Sequence, residues 1–213
     1  MSRHYRQMCA AASALDLVGE RWTLLVVREL LDGPAHYRDL RNGVPGIPTD
    51  VLAERLRSLE HAGLISRHPD PDDGRRHLYK LTPTGHQLEP VLIALARFGF
   101  NQLSQQRDEA PFRLAWLGLA LRATFISERM GSELVVRFTH ENDAAQFRLT
   151  PAGVYRDDES QPQVTADGAP HALFTAIGSP QLLPELVERG QLKLTGSNAS
   201  LRVLSRVLMG PRV

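Results

Sequence analysis

Apolar side chains recur every three to four residues along the first half of the chain. They alternate with polar ones over much of the second half, which predicts helices first and a sheet later. Residues 10–18, rich in alanine and leucine, read as a short helix. Residues 21–31, RWTLLVVRELL, place Trp22, Leu24, Leu25, Val26, Val27, Leu30 and Leu31 in a broad stripe, so this helix is expected to be buried on most sides. Gly33 and Pro34 end it. One or two further turns over 37–42 stop at Gly43-Val44-Pro45-Gly46. A longer helix opens at Pro48 or Thr49 and runs to about His61. Val51, Leu52, Leu56 and Leu59 face inward; Asp50, Ala53, Glu54 and Arg57 face out, with Arg55 near the border. Gly63 closes this helix. Residues 64–67 and 77–81 are strand-like, and PDPDDGRR between them supplies a turn. A helix over 87–106 carries Val91, Leu92, Leu95, Phe98 and Leu103 as its apolar stripe.

The pattern changes around 107–111, a polar stretch with a proline, so residues 1–108 and 109–213 are expected to form separate domains. Residues 112–130 read as one long helix with a wide apolar face. Alternation over 134–139 and 145–149 predicts half-buried antiparallel strands, with further strands over 153–157, 163–166 and 192–195. Short helices are expected over 170–177 and 180–188, and a closing helix over 197–208. The fold class is therefore α+β.

Short helix, turn, longer helix and charged hairpin, in that order, make a winged helix-turn-helix. Its second helix suits the major groove, where base edges present a distinguishable pattern of donors and acceptors. Thr49 and Asp50 lie at its amino end. Glu54 suits a cytosine amino group, and Arg57 suits a phosphate or a guanine. Arg75 and Arg76 at the hairpin tip suit phosphate or minor-groove contact. The bland alternative is that small helices simply pack this way. Net charge is only +1, so any field that attracts DNA has to come from placement of charge rather than its total.

No catalytic constellation is visible. His140 and His171 stand without metal-ligand spacing, no nucleophile motif or phosphate loop occurs, and Asp157-Asp158-Glu159 reads as a solvated turn. No enzymatic role, metal or cofactor is expected. No apolar run reaches the roughly 18 residues of a membrane span, and no signal peptide is read at the amino end, so a cytoplasmic location is expected. The single cysteine, Cys9, fits a reducing compartment. It is a candidate redox site with His4, Arg3 and Arg6 nearby to favour a thiolate; the alternative is a small apolar residue before a helix.

Cys9, ALDLVGERWTLLVVRELLDG, RDLRNGVPGI, VLAERLRSLEHAGLISR and YKLTPTG together resemble the HxlR-type branch of winged-helix transcription regulators, over about residues 9–107. The resemblance implies a homodimer on double-stranded operator DNA, as repressor or activator. It also implies a recognition helix within 48–57, including Pro48, Thr49, Asp50, Ala53, Glu54 and Arg57, and a wing tip at Arg75 and Arg76. The helix over 87–106 and the first helices would build the dimer; packing within one subunit is the alternative. Where that family often has a capping serine, Pro48 stands here. Thr49 is then the alternative cap, a role that would withdraw it from base contact.

From 134 to 208, the strands with G-V-Y, V-T-A-D-G and QLKLTGSNASLRVL resemble a sterol-carrier-protein-type domain. That resemblance implies a five-stranded, mainly antiparallel sheet with helices around an apolar tunnel. Candidate lining residues are Trp116, Phe125, Val136, Phe138, Phe147, Leu149, Phe174 and Ile177, with plain core packing as the alternative. The combined expectation is a DNA-binding transcriptional regulator, a repressor by preference, whose second domain senses a hydrophobic small molecule. The alternatives are a second domain that only builds the dimer, or redox sensing through Cys9.

Overall fold

The computed structural model describes residues 4–103 and 110–208. They fall into two compact units that divide between Leu92 and Ile93. The expected domain boundary around 107–111 rests largely on residues outside the described chain.

In the first unit α1 (Ala10–Val18) and α2 (Thr23–Leu30) are followed by the two-residue strand β1 (Ala35–His36), α3 (Tyr37–Gly43) and α4 (Thr49–His61). Then come β2 (Ile65–Pro69), β3 (His77–Leu81) and the single turn α5 (Pro83–His86). The strands form an antiparallel sheet in the order β1-β3-β2. Val26, Val27, Leu30, Leu40, Leu52, Leu56, Leu59 and Ile65 make the core, so the inward face predicted for α4 is the buried one. Helix α2 departs from expectation. It starts at Thr23 because Trp22 takes a left-handed backbone with φ of 78°, and the Arg21 guanidinium lies 4.6 Å from the Trp22 ring centroid. Only one face of α2 is buried, and Leu25 is exposed.

Helix α4 ends as its sequence dictates. Gly63 adopts φ of 68°, its amide donates to the Glu60 carbonyl, and the Leu64 amide donates to Leu59, which satisfies the last carbonyls of the helix. The strand β3 then returns to this helix end through Thr82. Its hydroxyl donates to the Gly63 carbonyl at 2.6 Å and accepts from the Gly85 amide at 3.1 Å.

Helix α6 (Glu89–Leu103) runs across the division between the units. The expected helical residues 104–106 lie outside the described chain. From Ile93 onward it belongs to the second unit, where Arg97 donates to the Ala123 carbonyl at 2.7 Å and Phe100 rests against Gly178.

The long helix expected over 112–130 does not form. A 3-10 turn (Leu114–Trp116) leads into α7 (Leu117–Thr124), and the chain turns extended at Phe125. The Thr124 hydroxyl donates back to the Ala120 carbonyl, while Ile126 donates to the Val207 carbonyl and Phe125 bridges Leu208. Pairing with the end of the described chain replaces the helical hydrogen bonds that the apolar periodicity suggested.

The sheet of this unit holds β4 (Leu134–His140), β5 (Asp143–Thr150), β6 (Gly153–Arg156), β7 (Val164–Gly168) and β8 (Leu192–Gly196), in the order β6-β5-β4-β7-β8. The β4–β7 pair is parallel and the other three pairs are antiparallel. Helices α8 (Pro170–Gly178), α9 (Leu183–Glu188) and α10 (Asn198–Val207) complete the unit. As the central strand, β4 buries both Val135 and Val136, so it is not half-buried as alternation implied.

The acidic run 157–159 is not a solvated turn throughout, because Asp157 is buried. The amide and hydroxyl of Ser160, then the Arg148 guanidinium, hold its carboxyl far below the usual carboxylate range; Arg148 Nε donates at 2.6 Å. A single buried carboxylate thus ties β5 to the loop that leads into β7.

Candidate nucleic-acid interface

Pro48 occupies the N-cap of α4, and no side chain caps the helix. The capping role expected of Thr49 is therefore corrected: Thr49 is the first helical residue and is exposed, and its carbonyl accepts from the Tyr37 hydroxyl at 2.8 Å. Proline fits this position because it brings a fixed φ to a site where extended backbone is needed and no amide donor is used. Asp50 in the first turn stabilises the positive end of the helix dipole.

The outer face of α4 is open. Pro48, Thr49, Asp50, Glu54 and Arg57 are exposed, and Ala53 is half-buried between them. Arg57 Nε donates to the Ala53 carbonyl at 3.3 Å, a long bond that leaves most of the guanidinium outward. Glu54 already has a partner: Arg55 donates to Glu54 Oε1 at 3.1 Å. The Arg55 side chain is only 14% exposed, so it is held in place to neutralise a carboxylate that would otherwise repel phosphate.

Strands β2 and β3 form the wing, paired from Ile65–Leu81 out to Pro69–His77. Arg75 and Arg76 are exposed at its tip. The turn is shaped by acid side chains: Asp70 Oδ1 accepts from the Asp72 amide at 3.0 Å, and Asp73 Oδ1 accepts from the Arg75 amide at 3.1 Å. Sequence reading missed the role of Asp70. It is 8% exposed and lies 3.2 Å from His36 Nε2, while His36 Nδ1 donates to the His77 carbonyl at 3.0 Å. His36, just ahead of α3, thereby clamps both strands of the wing. The only signal in sequence was an aspartate in a proline-rich turn, which is ordinary turn composition.

We expect Asp70→Ala to lower stability by about 1–3 kcal/mol, because it strands a half-buried imidazole and an amide. Hydrogen exchange at the Asp72 amide should accelerate. An unchanged exchange rate and unchanged stability would remove Asp70 from this clamp.

Cys9 is exposed at the N-cap of α1. The amides of Ala12 and then Ala11 hold its thiol below the ordinary range.

In the second unit Val136, Phe138, Phe147, Leu149 and Ile177 are each at most 2% exposed and share one cluster, with Phe125 and Phe174 packed against it. Trp116 is half-buried. An open cleft of about 560 Å³ in this unit is lined by none of these eight residues. Among the described residues no helix is long and apolar enough to cross a membrane, and no group of three or more His, Cys, Asp or Glu is placed to hold a metal ion.

The HxlR-like helix-turn-helix family matches residues 17–107. A Synechocystis protein described as an uncharacterised HTH-type transcriptional regulator is 37% identical over 102 residues, which cover 48% of this chain and 76% of that protein. A Mycobacterium tuberculosis protein of the same description is 42% identical over 98 residues, covering 46% of this chain and 60% of its own length. The HTH-type regulator YodB of Bacillus subtilis is 35% identical over 79 residues, 37% of this chain and 70% of YodB. These relatives are transcriptional regulators rather than enzymes. With the winged fold and the family match falling on the same residues, this chain belongs to the HxlR-like helix-turn-helix family.

Proposed function

We propose that the chain is a one-component transcriptional regulator, acting as a repressor, which binds operator DNA in the cytoplasm as a homodimer. The observation that carries this reading is the open outer face of α4, flanked by a wing whose two tip arginines point to solvent. Pro48, Thr49, Asp50, Ala53, Glu54 and Arg57 would meet the groove, and Arg75 and Arg76 the neighbouring backbone. Dimerisation is supported by a stripe on α6 that no described residue covers, where Val91, Leu95 and Phe98 are 44%, 47% and 78% exposed. On α1, Leu15 and Leu17 are exposed as well. Footprinting the full chain on DNA upstream of its own gene should give two protected half-sites about 34 Å apart. A single half-site with a monomer in the complex would overturn the dimer, and no protected site would overturn the regulator.

The second unit is the sensory part in this reading. Its five-stranded sheet with attached helices is the arrangement that the sterol-carrier resemblance implies. An apolar effector would have to displace side chains that already fill the cluster around Phe147. An effector acts only if it binds one arrangement of the DNA-reading elements better than the other.

The exposure of Cys9 and its lowered thiol favour a second reading, redox control of DNA binding. Diamide should then weaken operator binding by the native chain and leave Cys9→Ser unaffected. Equal responses of the two proteins would remove Cys9 from regulation.

A further inference from the structure

The cleft of about 560 Å³ in the second unit lies where the carboxyl ends of the parallel strands β4 and β7 meet the amino end of α8 and the start of β8. Ligands commonly bind outside the carboxyl ends of neighbouring parallel strands, where loops diverge and leave a crevice. Here the lining is mixed: Ala169 and Ala172 stand beside His140, Glu141, Asp167, His171 and Lys193, and the last four of these are exposed.

Several features narrow the ligand. Helix α8, of nine residues, opens on Ala169 and Pro170 with no side chain to cap it, and its amino end borders the cleft. An uncapped helix start favours an anion, and Lys193 adds a full positive charge on the same wall. Asp167 is the register partner of Lys193 across β7 and β8, so the two side chains leave the same face of the sheet. They nonetheless form no ion pair among the described residues. Asp167 instead accepts from the Thr139 hydroxyl at 2.6 Å. Glu141 adds a second negative charge to the lining. A Cβ on Gly168 would come within 2.8 Å of the Gln191 carbonyl oxygen, so the ends of β7 and β8 approach too closely at this part of the lining to admit a side chain.

A simple anion would face Asp167 and Glu141, and a simple cation would face Lys193 and the helix end. A molecule carrying both charges satisfies both walls. We propose that this cleft binds a small zwitterion, a free amino acid or dipeptide. Its carboxylate would lie at the start of α8 and Lys193, its ammonium at Asp167 and Glu141. The regulatory meaning of the site, though not the site itself, rests on the sensory reading of this unit.

Isothermal titration of the full chain with each standard amino acid and with Gly-Gly tests the site, using the N-acetyl and carboxamide derivatives as single-charge controls. At least one zwitterion should bind with a Kd below about 1 mM. Removing either of its charges should weaken binding by about tenfold or more, as should Lys193→Met or Asp167→Asn, with unfolding temperatures unchanged. The site is overturned if no zwitterion binds, if an N-acetyl derivative binds equally well, or if neither variant alters the titration. A zwitterion that passes these tests and leaves operator affinity unchanged would uphold the site and overturn its regulatory meaning. Failure of the chain to bind DNA would overturn the regulator reading without bearing on the titration.

Discussion

Arg75→Ala combined with Arg76→Ala will flatten the salt dependence of operator binding. Each lost phosphate contact lowers the slope of log K against log salt by about 0.9, so a dimer that loses two per protomer should lose about 3.6. Affinity at physiological salt should fall about a thousandfold or more, since four charge-assisted contacts per dimer at the low end of about 1–3 kcal/mol each already sum to about 4 kcal/mol. Both side chains are exposed at the tip of a hairpin whose shape is set by Asp70 and Asp73, so the loss should not come from unfolding. Arg202→Ala combined with Arg206→Ala, at two exposed positions of α10, serves as the charge-matched control. Adding Arg57→Ala should reduce affinity further and relax preference for the site as well. A double variant that keeps the native slope would take the wing off the DNA.

The largest effect on stability is expected at Gly85. A Cβ there would drive into the Leu64 carbonyl oxygen, which accepts from the Thr82 amide at 3.0 Å and from the Thr82 hydroxyl at 3.2 Å. The obstacle is backbone at the junction of α4, β2 and α5, so no side-chain rotation relieves it. Gly85→Ala should cost on the order of 3 kcal/mol, or roughly 12–24 °C in the unfolding temperature of the first unit. Gly74→Ala is the control, because a Cβ at that wing position meets nothing within 4 Å. A Gly85→Ala protein that unfolds within a few degrees of the native one would show that this junction yields easily.

The same junction shows what the amino-acid pattern could reveal. The extent of α4 was legible because Gly63 and the three-to-four-residue spacing of Leu52, Leu56 and Leu59 are local signals. The wing strands were legible for a similar reason: PDPDDGRR is turn chemistry between two short apolar runs. Features that depend on distant chain were not. The extended turn at Phe125 comes from Val207 and Leu208, more than eighty residues away, while its local periodicity is helical. Asp157 read as a solvated loop acid and Asp70 as turn composition; His36 beside Asp70, and Ser160 with Arg148 around Asp157, hold them inward. The outward residues of α4 were legible as a face, yet the pairing of Glu54 with its sequence neighbour Arg55 was not, because a helix border can turn either way. The charged cleft of the second unit escaped notice because its walls come from strand ends that are separate in sequence and become neighbours only through the parallel pairing of β4 with β7.

The inward turn of Asp70 has a consequence for how such a molecule searches a genome. It takes one of three negative charges out of the outer field of the hairpin, so a chain of net charge +1 still offers a locally basic edge. The pull of arbitrary duplex scales with the phosphates that placed cations neutralise and not with net charge, so this edge, rather than the total of +1, sets it. On the regulator reading, the hold on random sequence then comes from a few cations of the hairpin edge, and the rest of the discrimination falls to fit at a small number of addresses.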